Sequence, residues 1–126
     1  MLMQFRSFVI LLFLLLLALP ASAQSFDGRY DGTLLLTRDG GDCGNKTEKF
    51  QAEIKGRIIR VTSPRAEKTL EGEIGSDGQF FVRGNGRGNA TLEWRAQILA
   101  SKSGLGSLLV RRGDSLCQFL LSLRAN

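Results

Sequence analysis

The sequence predicts an all-β domain with about eight short antiparallel strands that follow one another as a meander and close into a small barrel. Three observations predict it. Apolar and polar side chains alternate over Ala90–Ser101, as in a strand with one buried face. Shorter alternating segments surround this stretch, separated by turns rich in Gly, Asp and Asn. Residues 24–126 show no helical periodicity. A two-sheet sandwich is the alternative arrangement.

The first residues have the pattern of a secretory signal peptide. An arginine precedes an unbroken run of twelve apolar residues at 8–19, and Ala21–Ala23 forms a small-x-small cleavage site. The run is shorter than the ~20 residues that a membrane-spanning helix needs. We therefore expect a signal peptide at 1–23 and a single mature domain at 24–126, periplasmic or secreted, without a membrane span after cleavage.

The expected mature domain is small and mildly basic. Residues 24–126 carry sixteen Lys and Arg against twelve Asp and Glu, a net charge of +4. This excess favours solubility and gives a weak preference for anionic partners. We expect no nucleic-acid partner.

The only two cysteines, Cys43 and Cys117, are predicted to form a disulfide, because an even pair in an exported chain is usually oxidised. The bond would close a long loop and stabilise the fold by about 4.5 kcal/mol in the chain-entropy model. Cys43 follows the first predicted strand, Arg29–Arg38, and Cys117 lies in the last, Ser115–Arg124. The pairing fits a closure in which the first and last strands are neighbours.

Three hairpins can be assigned by register, because a slip of one residue would turn every side chain to the opposite face. Between the second and third hairpins, residues 84–89 are predicted to be a mobile loop that leads into the long strand. Residues 102–106 are predicted to connect the long strand to the next one, Ser107–Arg112. The predicted pairs are Phe50–Val61 and Ala52–Ile59 around a turn at Lys55-Gly56, Ile74–Phe80 and Gly72–Val82 around a loop at 76–78, and Val110–Cys117 and Leu108–Phe119 around a turn at Gly113-Asp114.

Several of these motifs occur together in a known kind of protein. They are Tyr30-x-Gly32-x-Leu34, a cysteine soon after the first strand, Gly-x-Ile-x-x-Asp-Gly at 72–78, and a cysteine in the last strand. In this combination the chain resembles small exported β-barrel or β-sandwich proteins of Gram-negative bacteria, which are mostly uncharacterised. The resemblance covers most of residues 24–126 and implies no functional residue. The sequence after the last cysteine departs from that pattern, which has a glycine and an aromatic residue there.

The chain lacks the residues of most catalytic and metal sites. It contains no histidine, which removes histidine-activated nucleophiles and imidazole ligands. Glu71 and Glu73 share an outward strand face ~7 Å apart, which is the ordinary spacing of alternate residues on a solvated strand. The oxygen-bearing side chains at 39–48 do not match an EF-hand. We expect a non-enzymatic protein without a catalytic residue, metal or cofactor.

One outward surface in the second half of the chain is the candidate site. With Trp94 in the core, the outward positions on the neighbouring strands combine apolar side chains with arginines. An apolar patch rimmed by arginines is typical of a surface that binds a protein partner or a second copy. The candidate residues are Phe81, Leu99, Leu109, Leu120, Arg83, Arg95, Arg111 and Arg124.

The leading hypothesis is an exported interaction module that binds a protein or envelope component through this outer face. One alternative is a carrier of a small hydrophobic ligand, since small inward residues could leave a cavity beside Trp94. Another alternative, an inhibitor of an exogenous lysozyme or protease, rests on fold analogy. The small inward residues are Gly32, Ala52, Gly72, Gly84, Ala96 and Ala100.

Overall fold

The computed structural model describes residues 25–126, so the signal peptide expected at 1–23 lies outside the described residues. Within this part of the chain there are eight strands and one short 3₁₀ turn, Arg87–Asn89. No helix in residues 25–126 has the length and apolar character needed to cross a membrane. The strands are β1 (Gly28–Asp39), β2 (Thr47–Lys55), β3 (Ile58–Thr62), β4 (Leu70–Ile74), β5 (Gln79–Asn85), β6 (Thr91–Ile98), β7 (Ser103–Arg112) and β8 (Ser115–Ala125).

The strands form one closed antiparallel barrel. Each strand pairs with the next in sequence, and β8 returns to pair with β1. The closing register places Gly32 opposite Leu123 and Leu34 opposite Leu121, which brings inward residues of the two strands together. The meander barrel is confirmed, and the two-sheet sandwich is not the arrangement adopted. Closure also leaves the barrel without an unpaired sheet edge.

Side-chain alternation along each strand builds the core. Leu92, Trp94 and Ile98, predicted to face inward on the longest strand, are all buried. The Phe50 ring on β2 is tilted against the Trp94 indole, with 5.0 Å between ring centroids. Such tilted aromatic pairs add roughly 0.5–1.5 kcal/mol beyond the area that they bury. The interior is therefore organised around the single tryptophan.

Two of the three predicted hairpin registers are confirmed. Ile74 lies opposite Phe80, and in the last hairpin Val110 lies opposite Cys117 and Leu108 opposite Phe119.

The register predicted for the β2–β3 hairpin was wrong by two residues. Ala52 pairs with Val61, and Ile54 pairs with Ile59. The turn is Gly56-Arg57, and Gly56 has a φ of +62°. A glycine adopts this left-handed conformation without the steric cost that a lysine would meet, so the turn begins one residue later. The inward and outward faces are unchanged, because the shift is an even number of residues.

The predicted long strand is shorter than its alternation suggested. β6 ends at Ile98, and the chain reverses over 99–102, where the Leu99 amide donates to the Ser103 carbonyl at 2.8 Å. Leu99 and Ala100 therefore lie in an exposed turn, and β7 begins at Ser103 within a segment predicted to be a loop. Alternation alone does not mark where a strand turns back.

The segment predicted as a mobile loop at 84–89 is instead held by backbone hydrogen bonds. β5 continues to Asn85, and Gly86 forms a bridge with Ala66. The Arg87 amide donates to the Arg65 carbonyl at 2.8 Å, and the Gly86 amide donates to the Ala90 carbonyl at the same distance. These bonds join the β5–β6 connection to the β3–β4 connection at one end of the barrel.

The Cys43–Cys117 disulfide is confirmed. Cys117 lies opposite Asp39, the last residue of β1, and both cysteines are buried. The bond ties the β1–β2 loop to β8 across the seam that closes the barrel. It therefore adds a covalent link where the end of β1 meets the start of β8.

Loss of the disulfide should lower stability without changing the fold. For the double variant Cys43→Ser/Cys117→Ser we expect the free energy of unfolding to fall by about 2–4 kcal/mol, because the unfolded chain regains the freedom that the loop closure removes. Urea denaturation of the variant and of the oxidised protein measures the difference. An unchanged denaturation midpoint would contradict this contribution.

Tyr30 and Phe26 close one end of the barrel. The buried Tyr30 hydroxyl donates to the Phe26 carbonyl at 2.6 Å, and the Phe26 side chain is itself buried. Burial raises the pKa of Tyr30 above its ordinary value, and the nearby Asp27 carboxylate shifts this pKa in the same direction. The neutral phenol is therefore the form that the folded state favours.

The Tyr30 pKa predicts alkaline sensitivity. Because the folded pKa is raised, the stabilising contribution is complete below the unfolded pKa and is lost as pH rises through the folded pKa. Tyr30 is the only tyrosine, so tyrosinate absorbance reports it directly, and its midpoint should exceed that of free tyrosine. Between roughly pH 9 and pH 11, Tyr30→Phe should lose less stability than the wild type. Equal losses would contradict the assignment.

Candidate functional site

The two sides of the barrel differ in charge. Strands β5–β8 carry five arginines and one glutamate. Strands β1–β4 carry five basic and six acidic residues, which leaves that side close to neutral. The positive excess of the described barrel is therefore concentrated on β5–β8, the half in which the sequence placed the candidate patch.

Exposed apolar side chains are concentrated on the same side. Of the six large apolar side chains that are exposed in residues 25–126, four lie on β5–β8 or in the turn between β6 and β7: Phe81, Leu99, Leu105 and Leu120. Leu35 lies on β1, next to β8, and Ile58 lies on β3. The excess of arginine and most of the exposed apolar side chains therefore lie on the same side of the barrel.

The structure brings part of the predicted patch together. Cross-strand pairing places Phe81 opposite Arg95, Arg95 opposite Ser107, and Ser107 opposite Leu120. Leu99 lies in the neighbouring turn and is 50% exposed. Leu109 faces outward on β7 but is only partly exposed, so its share of the surface is smaller than expected.

The other predicted arginines surround this row. Arg83 lies 3.9 Å from Glu93 on the adjacent strand. Arg111, at the far end of β7, is opposite Thr91 and Leu116. Arg124, at the end of β8, lies opposite Asp31 and Ser103. All three are exposed at the rim, where they can meet a partner's polar groups.

Two residues of the face were missed. Leu105, the most exposed large apolar residue at 63%, was predicted to lie in the connection at 102–106. Its spacing of two residues from Ser107, and from Leu109 and Arg111 beyond it, nevertheless indicated the same outward face. Leu35 is 47% exposed and pairs directly with Leu120 across the closing seam. The sequence did indicate Leu35 as unusual, because it is an apolar residue on the otherwise polar face of the first strand.

The resulting surface is continuous but curved. One row across five adjacent strands consists of Phe81, Arg95, Ser107, Leu120 and Leu35. Since β5 and β1 are four strands apart in the closed eight-strand barrel, the row follows the surface half-way around it, over about 19 Å at ~4.8 Å between strands. We call this surface, made of the row together with Leu105, the leucine–arginine face.

Shallow depressions indent the face on either side of Leu105. One is lined by Phe81, Arg95, Leu105 and Ser107, and also by Glu73 on β4. The other is lined by Leu99, Leu105 and Arg124. Leu105 therefore stands as a ridge between two surface dips, a shape that can interdigitate with a partner's side chains.

The opposite face is a ladder of alternating charges. Arg60 and Glu71 form an exposed ion pair with 2.9 Å between Nε and Oε1. Glu71 and Glu73, the carboxylates noted in the sequence, therefore do not form an isolated pair, since an arginine engages one of them. The ladder across β1–β4 consists of Arg29, Glu53, Arg60 and Glu71.

The loop at 39–48 uses its polar groups for local structure. The Asp39 carboxylate accepts from the Gly41 amide at 2.9 Å, and Glu48 forms an ion pair with Arg65. Within residues 25–126 no group of three or more His, Cys, Asp or Glu side chains is placed to hold a metal ion.

Neighbouring side chains occupy the space beside three of the inward glycines. A Cβ on Gly72 would lie only 2.7 Å from Cγ2 of Val82. At Gly32 and Gly84 a Cβ would overlap the side chains of Phe50 and Leu70. Large neighbours therefore occupy the space beside each of these glycines. Ala100, expected to face inward, is exposed in the β6–β7 turn.

Both ends of the barrel are covered. Phe26 lies under one end, and Arg65 from the β3–β4 connection covers the other. The Arg65 guanidinium lies 4.2 Å from the Phe119 ring centroid, donates to the Cys43 carbonyl at 2.8 Å and pairs with Glu48. A barrel that carries a ligand needs an open mouth, and these contacts occupy both positions where one would be.

Comparison with known proteins identifies no relative: no family model, curated protein or solved structure matches the chain.

The filled interior predicts no saturable ligand binding beside Trp94. Trp94 is fully buried and is the only tryptophan, so its fluorescence reports the interior directly. Titration with decanoate or 1-aminoanthracene should leave the emission unchanged after correction for absorbance. Saturable quenching by either compound would instead support the carrier hypothesis.

Proposed function

We propose that this protein is an exported, non-enzymatic interaction module that binds a protein partner through its leucine–arginine face. The observation that carries the proposal is the continuous row from Phe81 to Leu35, flanked by the exposed Leu105. Exposed apolar side chains are ordinary when scattered, but a contiguous set on one side of a small domain indicates a contact surface.

The composition of this surface favours a protein partner. Protein interfaces combine an apolar centre with a polar rim, and arginine and aromatic residues are enriched in them. Here Leu105 and Leu120 supply the centre, Phe81 supplies the aromatic group, and arginines supply the rim. The opposite face, with its paired charges, offers a partner less apolar surface to bury.

Charge favours a different protein over a second copy of this chain. Two copies that joined through this face would bring two sets of arginines together, with five arginines and one glutamate on β5–β8 of each copy. Like charges across an interface oppose association. A partner with acidic groups meets no such cost.

Substitution of the central leucines tests the proposal. Leu105→Ser/Leu120→Ser should abolish retention of specific envelope proteins by the immobilised protein, because both apolar contacts at the centre of the face are lost. Ile58→Ser is the matched control: it removes an exposed apolar side chain from the opposite face and should retain those proteins.

Circular dichroism and Trp94 emission show whether each variant is folded. Retention of the same proteins by the folded double variant would contradict the proposal. So would equal loss of retention in the Ile58→Ser control. Sedimentation of the wild type separates self-association from binding to another protein.

A further inference from the structure

We infer that Arg95 is the specificity-determining residue of the leucine–arginine face and that it binds a carboxylate of the partner. The inference rests on the proposed function and deepens it, since it assigns the partner's chemistry: an acidic side chain on an extended segment, next to apolar side chains. Three observations on the described residues lead to it.

The first observation is that Arg95 is held in place but has no acceptor. Its guanidinium lies 4.5 Å from the Phe81 ring centroid. Among residues 25–126, none of the side-chain hydrogen bonds or ion pairs involves this guanidinium. Stacking occupies one face of the planar group and leaves its edge donors free for a carboxylate. A group that is already ordered loses less entropy on binding.

Other arginines of the domain show the contrast. Arg60 is paired with Glu71, and Arg65 stacks on Phe119 but is also paired with Glu48. Arg83 lies close to Glu93. Arg95 therefore stacks on an aromatic ring, as Arg65 does, but the N–H groups at the edge of its guanidinium have no carboxylate partner among the described residues. A carboxylate from another molecule would complete the arrangement that Glu48 completes for Arg65.

The second observation is the shape of the surface around Arg95. Ser107, its cross-strand neighbour, has a short side chain, and Leu120 lies beyond it in the same row. Arg95, Leu105 and Ser107 line one depression. A carboxylate in this dip can accept from the Arg95 guanidinium and from the Ser107 hydroxyl. Apolar groups that flank it on the partner would then pack against Leu105 and Leu120.

The third observation is the positive charge of this side of the barrel. Glu93, two residues before Arg95, lies beside Arg83, and Glu73 on β4 lines the same depression as Arg95. Among residues 25–126 neither carboxylate forms an ion pair with Arg95. With five arginines and one glutamate, β5–β8 carry a positive excess. The surface therefore attracts an acidic partner and repels a basic one.

A protein carboxylate fits this site better than a fatty acid. The two depressions beside Leu105 are open at the surface, and the core residues fill the interior beneath them. An acyl chain would need an enclosed channel to bury its length. An extended segment with an acidic and an apolar side chain on one face needs only the exposed row.

Short peptides of defined sequence test the inference. In acetyl-Glu-Ser-Phe-Ser-Leu-amide the glutamate and both apolar residues point to one side of an extended chain. Two further peptides replace the glutamate with glutamine or lysine. Each is titrated into the ¹⁵N-labelled wild type, Arg95→Gln, Arg95→Lys and Arg111→Gln, and amide shifts report the affinity and the site. Arg111→Gln is the matched control, because it removes the same charge from the same side without the stacked geometry.

The Glu peptide should shift the amides around Arg95, Leu105 and Ser107. Its binding should be roughly tenfold weaker to Arg95→Gln, since a charge-assisted hydrogen bond is lost. Arg95→Lys should also weaken binding, because lysine keeps the charge but lacks the planar fork. Arg111→Gln should change it less than about twofold, as expected for an exposed rim charge.

Several results would overturn the inference while leaving the proposed function intact. Equal affinity of the Glu and Gln peptides would show that the face binds apolar segments without reading charge. Equal effects of Arg95→Gln and Arg111→Gln would reduce Arg95 to a rim charge. No shift with any peptide, or stronger binding of decanoate than of the Glu peptide, would also overturn it. Failure of the proposed function itself would appear separately, as unchanged retention by Leu105→Ser/Leu120→Ser.

Discussion

The hydrogen-bonded pairing of β1 with β8 closes the barrel, and both the core and the outer surface follow from it. Eight strands in a meander would otherwise leave two exposed edges, and the closing register gives every strand two neighbours. Once the sheet is closed, alternation decides which side chains enter the core and which reach solvent. The disulfide between Cys43 and Cys117 fastens this seam at one end. The same pairing brings Leu35 next to Leu120, so closure also completes the proposed binding surface.

Core side chains occupy the interior of the barrel, so the proposed contact is placed on the outer surface. Trp94 and Phe50 occupy the centre, while Phe26 and Arg65 cover the ends. Outside, one side carries paired charges, and the other carries apolar side chains with an excess of arginine. Folding does not require this difference between the two sides, because the outward residues of both sides lie outside the core. It supports a role in binding, and Arg95 is the point at which geometry and charge coincide.

Much of the fold could be predicted from the sequence, since alternation is a direct consequence of strand geometry. It gave the strand number, the inner face of β6 and the registers at Ile74 and Val110. Strand ends were harder to place. The turn after Ile98 interrupts an alternation that continues through Ala100, and only hydrogen bonding to Ser103 shows where the chain reverses. The turn at Gly56 was misplaced because one glycine can occupy either central position.

For the candidate site, Phe81 and Leu120 were predictable as outward residues, whereas their connection through Arg95 and Ser107 depends on cross-strand register. Leu105 and Leu35 were missed because one lay in a supposed loop and the other belongs to the first strand, which meets this surface only on closure.

Mapping the contact surface on the folded protein tests directly whether a partner binds the leucine–arginine face. A partner retained by the wild type is added to the ¹⁵N-labelled protein, and amide shifts and line broadening are recorded for every strand. Changes should be largest on the outward residues of β5–β8 and at Leu35, with β2–β4 unaffected. Changes confined to β2–β4, to the end covered by Arg65, or to the interior around Trp94 would contradict binding through the leucine–arginine face.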